Sequence, residues 1–231
     1  MIKLKEEAFM NGKLIVIEGL DGSGKATQSR LLYNALKEKG IHVGKLSFPD
    51  YDSLSSGPVR MYLNGEFGDD PDDVDCYSTS VLFAVDRFCS FRSSWKKEYE
   101  KGSVFVCDRY TTSNEVFQIS KLPEEEWDQY IHWLEQFEYE MLGIPRPDLV
   151  LFLNMSEECS ARLIEKRYGG DESKKDIHER DEEFQKRSRQ AALYCADKLG
   201  WTQIICDIDG QLLSVEEIHE MIMKSLEEVL K

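Results

Sequence analysis

Residues 19–25 read GLDGSGK, a glycine-rich run closed by a lysine. That spacing suits one task, the holding of phosphate. Glycines let the chain wrap so that successive N–H groups face phosphate oxygens, and the N-terminus of a following helix adds favourable partial charge. Lys25 reaches the β and γ phosphates of a nucleoside triphosphate. The nucleotide contacts therefore fall to Gly19, Leu20, Asp21, Gly22, Ser23, Gly24, Lys25, Ala26 and Thr27. One position departs from the pattern. The Ser or Thr that should follow the lysine and ligate Mg2+ is Ala26, and the hydroxyl comes one residue later on Thr27, about 100° further round a helix. Mg2+ is expected to rest mainly on phosphates, waters and an acidic side chain elsewhere.

Asp108 and Arg109 follow the apolar run VFVC at 104–107. At the carboxyl end of a sheet strand, where open α/β folds bind ligands, Asp108 can hold Mg2+ or its waters. Arg109 can clamp a phosphate with a planar fork of donors. A surface ion pair at a strand end uses the same two residue types. Five cations, Arg162, Lys166, Arg167, Lys174 and Lys175, gather around the polar stretch 168–177. They read either as a mobile lid, about 166–178, that closes on the transferred phosphate, or as a solvated basic patch.

Those residues need strands to present them. KLIVI at 13–17 ends at the glycine-rich turn, and residues 25–39 carry apolar positions at helical spacing before Gly40. Residues 41–48 suit a second strand, the acidic 69–73 a loop and 76–99 a long helix. VFVC at 104–107 and LVLFL at 149–153 are continuous apolar runs, as in parallel strands covered on both faces. Helices are expected at 124–142, from Ser156, at 179–199 and from Ser214, with a last strand at 203–206. Alternating strands and helices imply an α/β fold of the P-loop NTPase type, a three-layer sandwich of a five-stranded parallel sheet flanked by helices. The 231 residues read as one domain.

A net charge of −15 argues against a nucleic-acid ligand, which requires many cations on one face. Six cysteines occur without a C-x-x-C pair, so neither a zinc site nor a disulfide framework is indicated and a reducing cytoplasm fits. The first ten residues lack a signal-peptide core, and no stretch approaches the roughly 20 apolar residues of a membrane span.

With both motifs placed, the chain resembles the thymidylate kinase family along nearly its whole length. The matching elements are GLDGSGKATQ at 19–28, FPDY at 48–51, LFAVDR at 82–87, DRYTTSNEVFQ at 108–118, PDLV at 147–150 and ERD at 179–181. The resemblance implies phosphorylation of dTMP to dTDP by ATP and Mg2+, in a cytoplasmic enzyme that forms a homodimer. It implies that thymine stacks on Phe83 and is read at its edge by Arg87 and Asn114, with Gln118 also at the substrate. Asp21 contacts the sugar 3′-hydroxyl, Phe48 and Tyr51 close the acceptor pocket, and Arg109 holds the acceptor phosphate. Phe117 stands where several relatives carry a tyrosine that crowds the ribose 2′ position. Gly22 stands where one subgroup has its catalytic arginine, which favours a lid arginine, Arg167 or a neighbour. Catalysis is thus assigned to Lys25, Asp108, Arg109 and Arg167, and metal binding to Asp108.

Two other readings share the phosphate loop. A deoxynucleoside kinase needs a carboxylate base behind the second strand, a place Asp50 fills, although the strings at 48–51 and 108–118 fit monophosphate kinases better. A nucleotide-binding switch without catalysis is suggested by Ala26.

Overall fold

The apolar runs become the centre of a sheet. In the computed structural model, which describes residues 12–171 and 175–226, strands β1 (Lys13–Glu18), β2 (Val43–Ser47), β3 (Val104–Asp108), β4 (Leu149–Asn154) and β5 (Thr202–Ile205) form one parallel sheet in the order β2-β3-β1-β4-β5. Every residue of β3 is buried and only Lys13 of β1 is exposed. This matches strands covered on both faces.

Side-chain alternation builds the three layers. Ile15 and Ile17 of β1 pack with Leu32 and Leu36 of helix α1 (Lys25–Glu38). Leu14 and Val16 point to the other side, against Phe91 and Trp95. On the first face lie α1 and the last helix, whose Ile218 and Ile222 join the same cluster.

Chain order adds α2 (Gly57–Leu63), α3 (Cys76–Ser90), α4 (Lys96–Glu100), α5 (Thr112–Phe117), α6 (Trp127–Glu135), α7 (Glu157–Tyr168), α8 (Ile177–Arg180), α9 (Glu182–Lys198) and α10 (Val215–Ser225). The long helix expected at 76–99 is α3 and α4 joined by a π turn, Phe91–Trp95. Likewise α6 continues into a π turn at Gln136–Met141. Residues 57–63 and 112–117, which carried no helical expectation, are short helices. Asp181 divides the helix expected at 179–199, because its side chain caps α9 by accepting from the Phe184 amide.

The acidic stretch expected to be a plain loop has a structural account. Asp70 and Asp73 form a capping box on a 3-10 turn, Asp75 caps α3, and Asp72 pairs with Arg187. A two-strand hairpin, β6 (Asp207–Ile208) with β7 (Gln211–Leu212), was also not anticipated. Among the described residues, no helix is long and apolar enough to cross a membrane. The reading of the first ten residues lies outside them.

Candidate active site

The sheet delivers its carboxyl ends to one edge. β1 ends in Glu18 and runs into the glycine-rich loop, where Gly22 and Gly24 have φ of 77° and 88°, a region that favours glycine. A Cβ on Gly22 would lie 2.6 Å from the Ser160 carbonyl oxygen. Only glycine lets the loop pack on α7. Among the described residues, the backbone N–H groups of 21, 22, 24, 25 and 26 donate to no protein acceptor, so they form an open nest at the N-terminus of α1. Lys25 is buried and its Nζ donates to the loop's own Leu20 carbonyl at 2.5 Å. Burial pushes its amine down to about 8, with the Arg109 guanidinium adding to the effect. Phosphate oxygens at the nest would return the charge to its favoured state.

Arg109 stands where the loop meets the next cleft. Its φ of 65° places a bulky residue in the left-handed region, a strain of about 1–3 kcal/mol that the surroundings must hold. Its amide donates to Ile17 O at 3.1 Å. Its side chain pairs with Asp21 and lies 3.5 Å from Glu18, and its guanidinium carbon sits 5.0 Å from the centre of the Phe117 ring. Neighbouring carboxylates hold the Arg109 pKa above its ordinary value against the opposing effect of burial. Burial raises the Asp21 carboxyl, but Arg109 and Lys25 bring it down to about 2 overall.

Glu18 went unassigned in the sequence. Fully buried, it accepts from the Gly19 amide at 2.9 Å, the Thr112 hydroxyl at 2.6 Å and the Ser113 hydroxyl at 2.8 Å. It therefore ties the phosphate loop to α5 and steadies Arg109. The available signal was a carboxylate closing an otherwise apolar strand, KLIVIE.

Asp108 is buried at the end of β3, and its carboxylate accepts no hydrogen bond among the described residues. It offers a hard oxygen of the kind a divalent cation such as Mg2+ prefers. Ala26 is exposed and Thr27 half-buried, and the described residues contain no cluster of three His, Cys, Asp or Glu suited to a metal. The chain thus fits a metal held by one carboxylate and completed by phosphate oxygens and water.

Beside Arg109 opens a narrow cleft. Phe48, Phe83, Arg87, Asn114, Phe117 and Gln118 all line it, together with Asp21. Arg87 is buried and forms a two-pronged pair with Glu138, Nε to Oε2 at 2.7 Å and NH2 to Oε1 at 2.5 Å. Gln118 is fully buried, with neither Nε2 nor Oε1 hydrogen-bonded. An unpaired buried amide costs about 1–3 kcal/mol, so a partner is expected from a ligand. Tyr51 is 53% exposed and lies outside the lining.

Sequence reasoning also missed His178 and Asp176, which line the cleft from the start of α8. His178 stacks on Phe117 with ring centres 5.6 Å apart, and its Nε2 lies 2.9 Å from Tyr62 Oη. Burial pushes the imidazole down to about 3 and so keeps it neutral. Burial, with Asp21 nearby, pushes the Asp176 carboxyl up to about 7.

The lid cations separate. Arg162 donates to the Gly210 carbonyl at 2.5 Å and so secures the β6–β7 hairpin. Arg167 is half-exposed at the end of α7 and pairs with Glu179 at 3.1 Å. Lys175 lines a second cavity between α7 and α9, which Leu20 of the phosphate loop also borders. Lys174 lies outside the described residues.

The model of the thymidylate kinase family matches residues 17–222. The chain belongs to the thymidylate kinase family. It is 33% identical to thymidylate kinase from Mycobacterium tuberculosis over 76% of this chain and 81% of that protein. It is 31% identical to a probable thymidylate kinase from Thermococcus onnurineus over 94% of this chain and 98% of that one. The human thymidylate kinase is 33% identical, covering 67% of this chain and 66% of that one. A solved thymidylate kinase from Candida albicans shares the fold, with a TM-score of 0.70 and 24% identity over 95% of this chain and 93% of that one.

Membership in the thymidylate kinase family makes the chain an enzyme, a transferase acting on small nucleotides. It gives the two cavities a common frame, with a phosphate cradle at the loop and the aromatic cleft beside it. It also removes the catalytically silent switch from consideration. Asp50, proposed as a base by the deoxynucleoside kinase reading, is not among the cleft residues, and its amide is held by Asp86 at 2.8 Å.

Proposed function

We propose that this chain transfers the terminal phosphoryl group of ATP to the 5′-phosphate of dTMP, giving dTDP and ADP. The observation that carries the proposal is the position of Arg109. It touches Asp21 on the phosphate loop and Phe117 in the aromatic cleft, so its cation stands between a donor in the cradle and an acceptor in the cleft.

The acceptor phosphate is already an anionic nucleophile at neutral pH, so no general base is needed. The chain's work is alignment and charge placement. Lys25 and the open amides of the loop hold the donor phosphates. Arg109 orients the acceptor phosphate in line with them. Asp108, with phosphate oxygens and water, would hold Mg2+, which would supply positive charge to the donor phosphates. Arg167, or another cation of 166–178, closes over the transferred group after leaving Glu179, and closure excludes water as a competing acceptor.

The base is stacked on Phe83 and read by Arg87 and Asn114. Thymine presents an N3–H donor flanked by carbonyl acceptors, so it needs one acceptor and one donor from the protein. Asn114 Nδ2 is engaged with Ser80 O and Glu138, which leaves Oδ1 for N3–H, and Arg87 has N–H groups for the neighbouring carbonyl. Cytosine reverses both groups. Gln118 completes the base edge, Asp21 takes the 3′-hydroxyl, Phe117 packs against the sugar, and Phe48 closes the pocket.

On this reading the chain acts as one domain and as a cytoplasmic homodimer. The six free cysteines are consistent with a reducing compartment. Val81 and Val85, exposed at 38% and 42% on one face of α3, support a helix-mediated dimer.

The test is an ADP-release assay with ATP, Mg2+ and a panel of dTMP, dUMP, UMP, dCMP, AMP and thymidine. Turnover led by dTMP is expected. Turnover with thymidine alone would replace this proposal with a deoxynucleoside kinase.

A further inference from the structure

Glu138 is 0% exposed, yet it lies on a π turn, Gln136–Met141, rather than in a regular helix. Such turns re-aim side chains and concentrate at functional sites. Each group it contacts is at least 24 residues away in sequence. Its Oε2 accepts from Arg87 Nε at 2.7 Å and from the Thr111 hydroxyl at 3.0 Å. Its Oε1 accepts from Arg87 NH2 at 2.5 Å and from Asn114 Nδ2 at 3.2 Å. A carboxylate offers about four lone-pair sites and no donor, so this one is saturated.

We infer that Glu138 is a positioning residue that fixes the hydrogen-bonding polarity of the base-reading edge and thereby selects thymine over cytosine. This rests on the dTMP kinase reading and deepens it. Because an ionised carboxylate can only accept, Asn114 must turn its nitrogen toward Glu138. The second amide proton goes to Ser80 O at 3.3 Å, and only Oδ1 is left for the cleft. The same carboxylate holds the Arg87 fork, whose NH1 also donates to Tyr110 O at 3.3 Å. One buried charge therefore sets an acceptor at residue 114 and a cation at residue 87, both lining the cleft.

Glu138→Gln keeps the shape and removes the rule. An amide nitrogen at that position would face donors, and the conflict is relieved when Asn114 turns over and offers Nδ2 to the cleft. That edge repels thymine N3–H and accepts the bare N3 of cytosine. A residue that merely filled space would lower turnover of both bases alike.

The experiment compares kcat/KM for dTMP and dCMP in the wild type, Glu138→Gln, Glu138→Asp and Thr111→Val. A ratio measured on one preparation cancels the fraction of folded enzyme. The dTMP-to-dCMP ratio is expected to fall roughly 10- to 100-fold in Glu138→Gln, the scale of one misplaced buried hydrogen bond. Glu138→Asp should recover part of that loss. Thr111→Val removes one donor from Oε2 but leaves the carboxylate an acceptor only toward Asn114, so the ratio should stay within about 2-fold of the wild type. The KM for ATP should stay at the wild-type value in all three variants. An unchanged ratio in Glu138→Gln, with both substrates falling together, would overturn the inference, and if that variant does not fold, an unchanged ratio in Glu138→Asp would do so. A wild-type enzyme inert toward every monophosphate would overturn the kinase reading itself, a distinct result.

Discussion

Arg109 rests on Phe117, its guanidinium carbon 5.0 Å from the ring centre. The group proposed to orient the acceptor phosphate and the ring proposed to lie against the sugar thus form one packed unit. A shift in either displaces the other, so on the proposed roles phosphate alignment and sugar recognition are coupled.

Arg109→Lys keeps the charge but loses the planar fork and the flat face that stacks on Phe117. We expect kcat/KM for dTMP to fall about 100- to 1,000-fold, the range seen when one preorganised electrostatic donor is removed. The KM for ATP should move little. A loss below tenfold would remove Arg109 from the role assigned to it.

Phe117→Tyr adds one hydroxyl on the side of the cleft proposed for the sugar, without changing the ring. We expect the preference for dUMP over UMP to rise by about 10-fold, since one added polar or steric contact is worth roughly 1–3 kcal/mol. Comparing the two substrates on wild type and variant measures it, and an unchanged preference would move the ribose elsewhere.

Chelation of Mg2+ with excess EDTA should abolish turnover. In a titration of Mg2+ at fixed ATP, Asp108→Asn should need about tenfold or more metal for half-maximal rate, within the 10- to 100-fold cost of disturbing groups around a metal. Ala26→Ser, which restores a hydroxyl at the first turn of α1, should need less metal than wild type. A titration that Asp108→Asn leaves unchanged would place the ion elsewhere.

His178 sets a pH dependence of stability. Its folded-state pKa is pushed from 6.5 to about 3, so between those values the unfolded chain binds a proton that the folded chain does not. Stability from this group is therefore lost as pH falls below about 6.5, and the loss is about 2 kcal/mol at pH 5. Asp176 acts in the opposite direction, because its pKa is raised from 3.8 to about 7 and its contribution is lost as pH rises through about 7. Comparing wild type with His178→Phe cancels the Asp176 effect. Urea unfolding at pH 7.5 and pH 5 should show the wild type losing about 2 kcal/mol more than the variant; equal losses would show that the imidazole titrates in the folded protein.

The sequence by itself determined the sheet and the phosphate loop. Continuous apolar runs at 13–17, 104–107 and 149–153 are local signals, and burial on both faces leaves such strands few alternatives. The loop was equally legible, because Gly22 and Gly24 must take left-handed φ and Lys25 must follow them. Asp108 and Arg109 were placed because the strand before them ends at the edge where the cradle lies.

Tertiary structure alone decided which carboxylates organise the site. Glu18 and Glu138 act through side chains 24 to 95 residues away in sequence, and no spacing rule links a residue on a π turn to an arginine on α3. It also decided that Tyr51 lies outside the cleft lining while His178 lies within it, since burial of a polar side chain depends on what folds over it. It further separated the clustered cations, as Arg162 is spent on the hairpin and Arg167 on Glu179. Backbone conformation follows local chain chemistry, whereas the pairing of buried charges is settled only when distant elements pack and water is excluded.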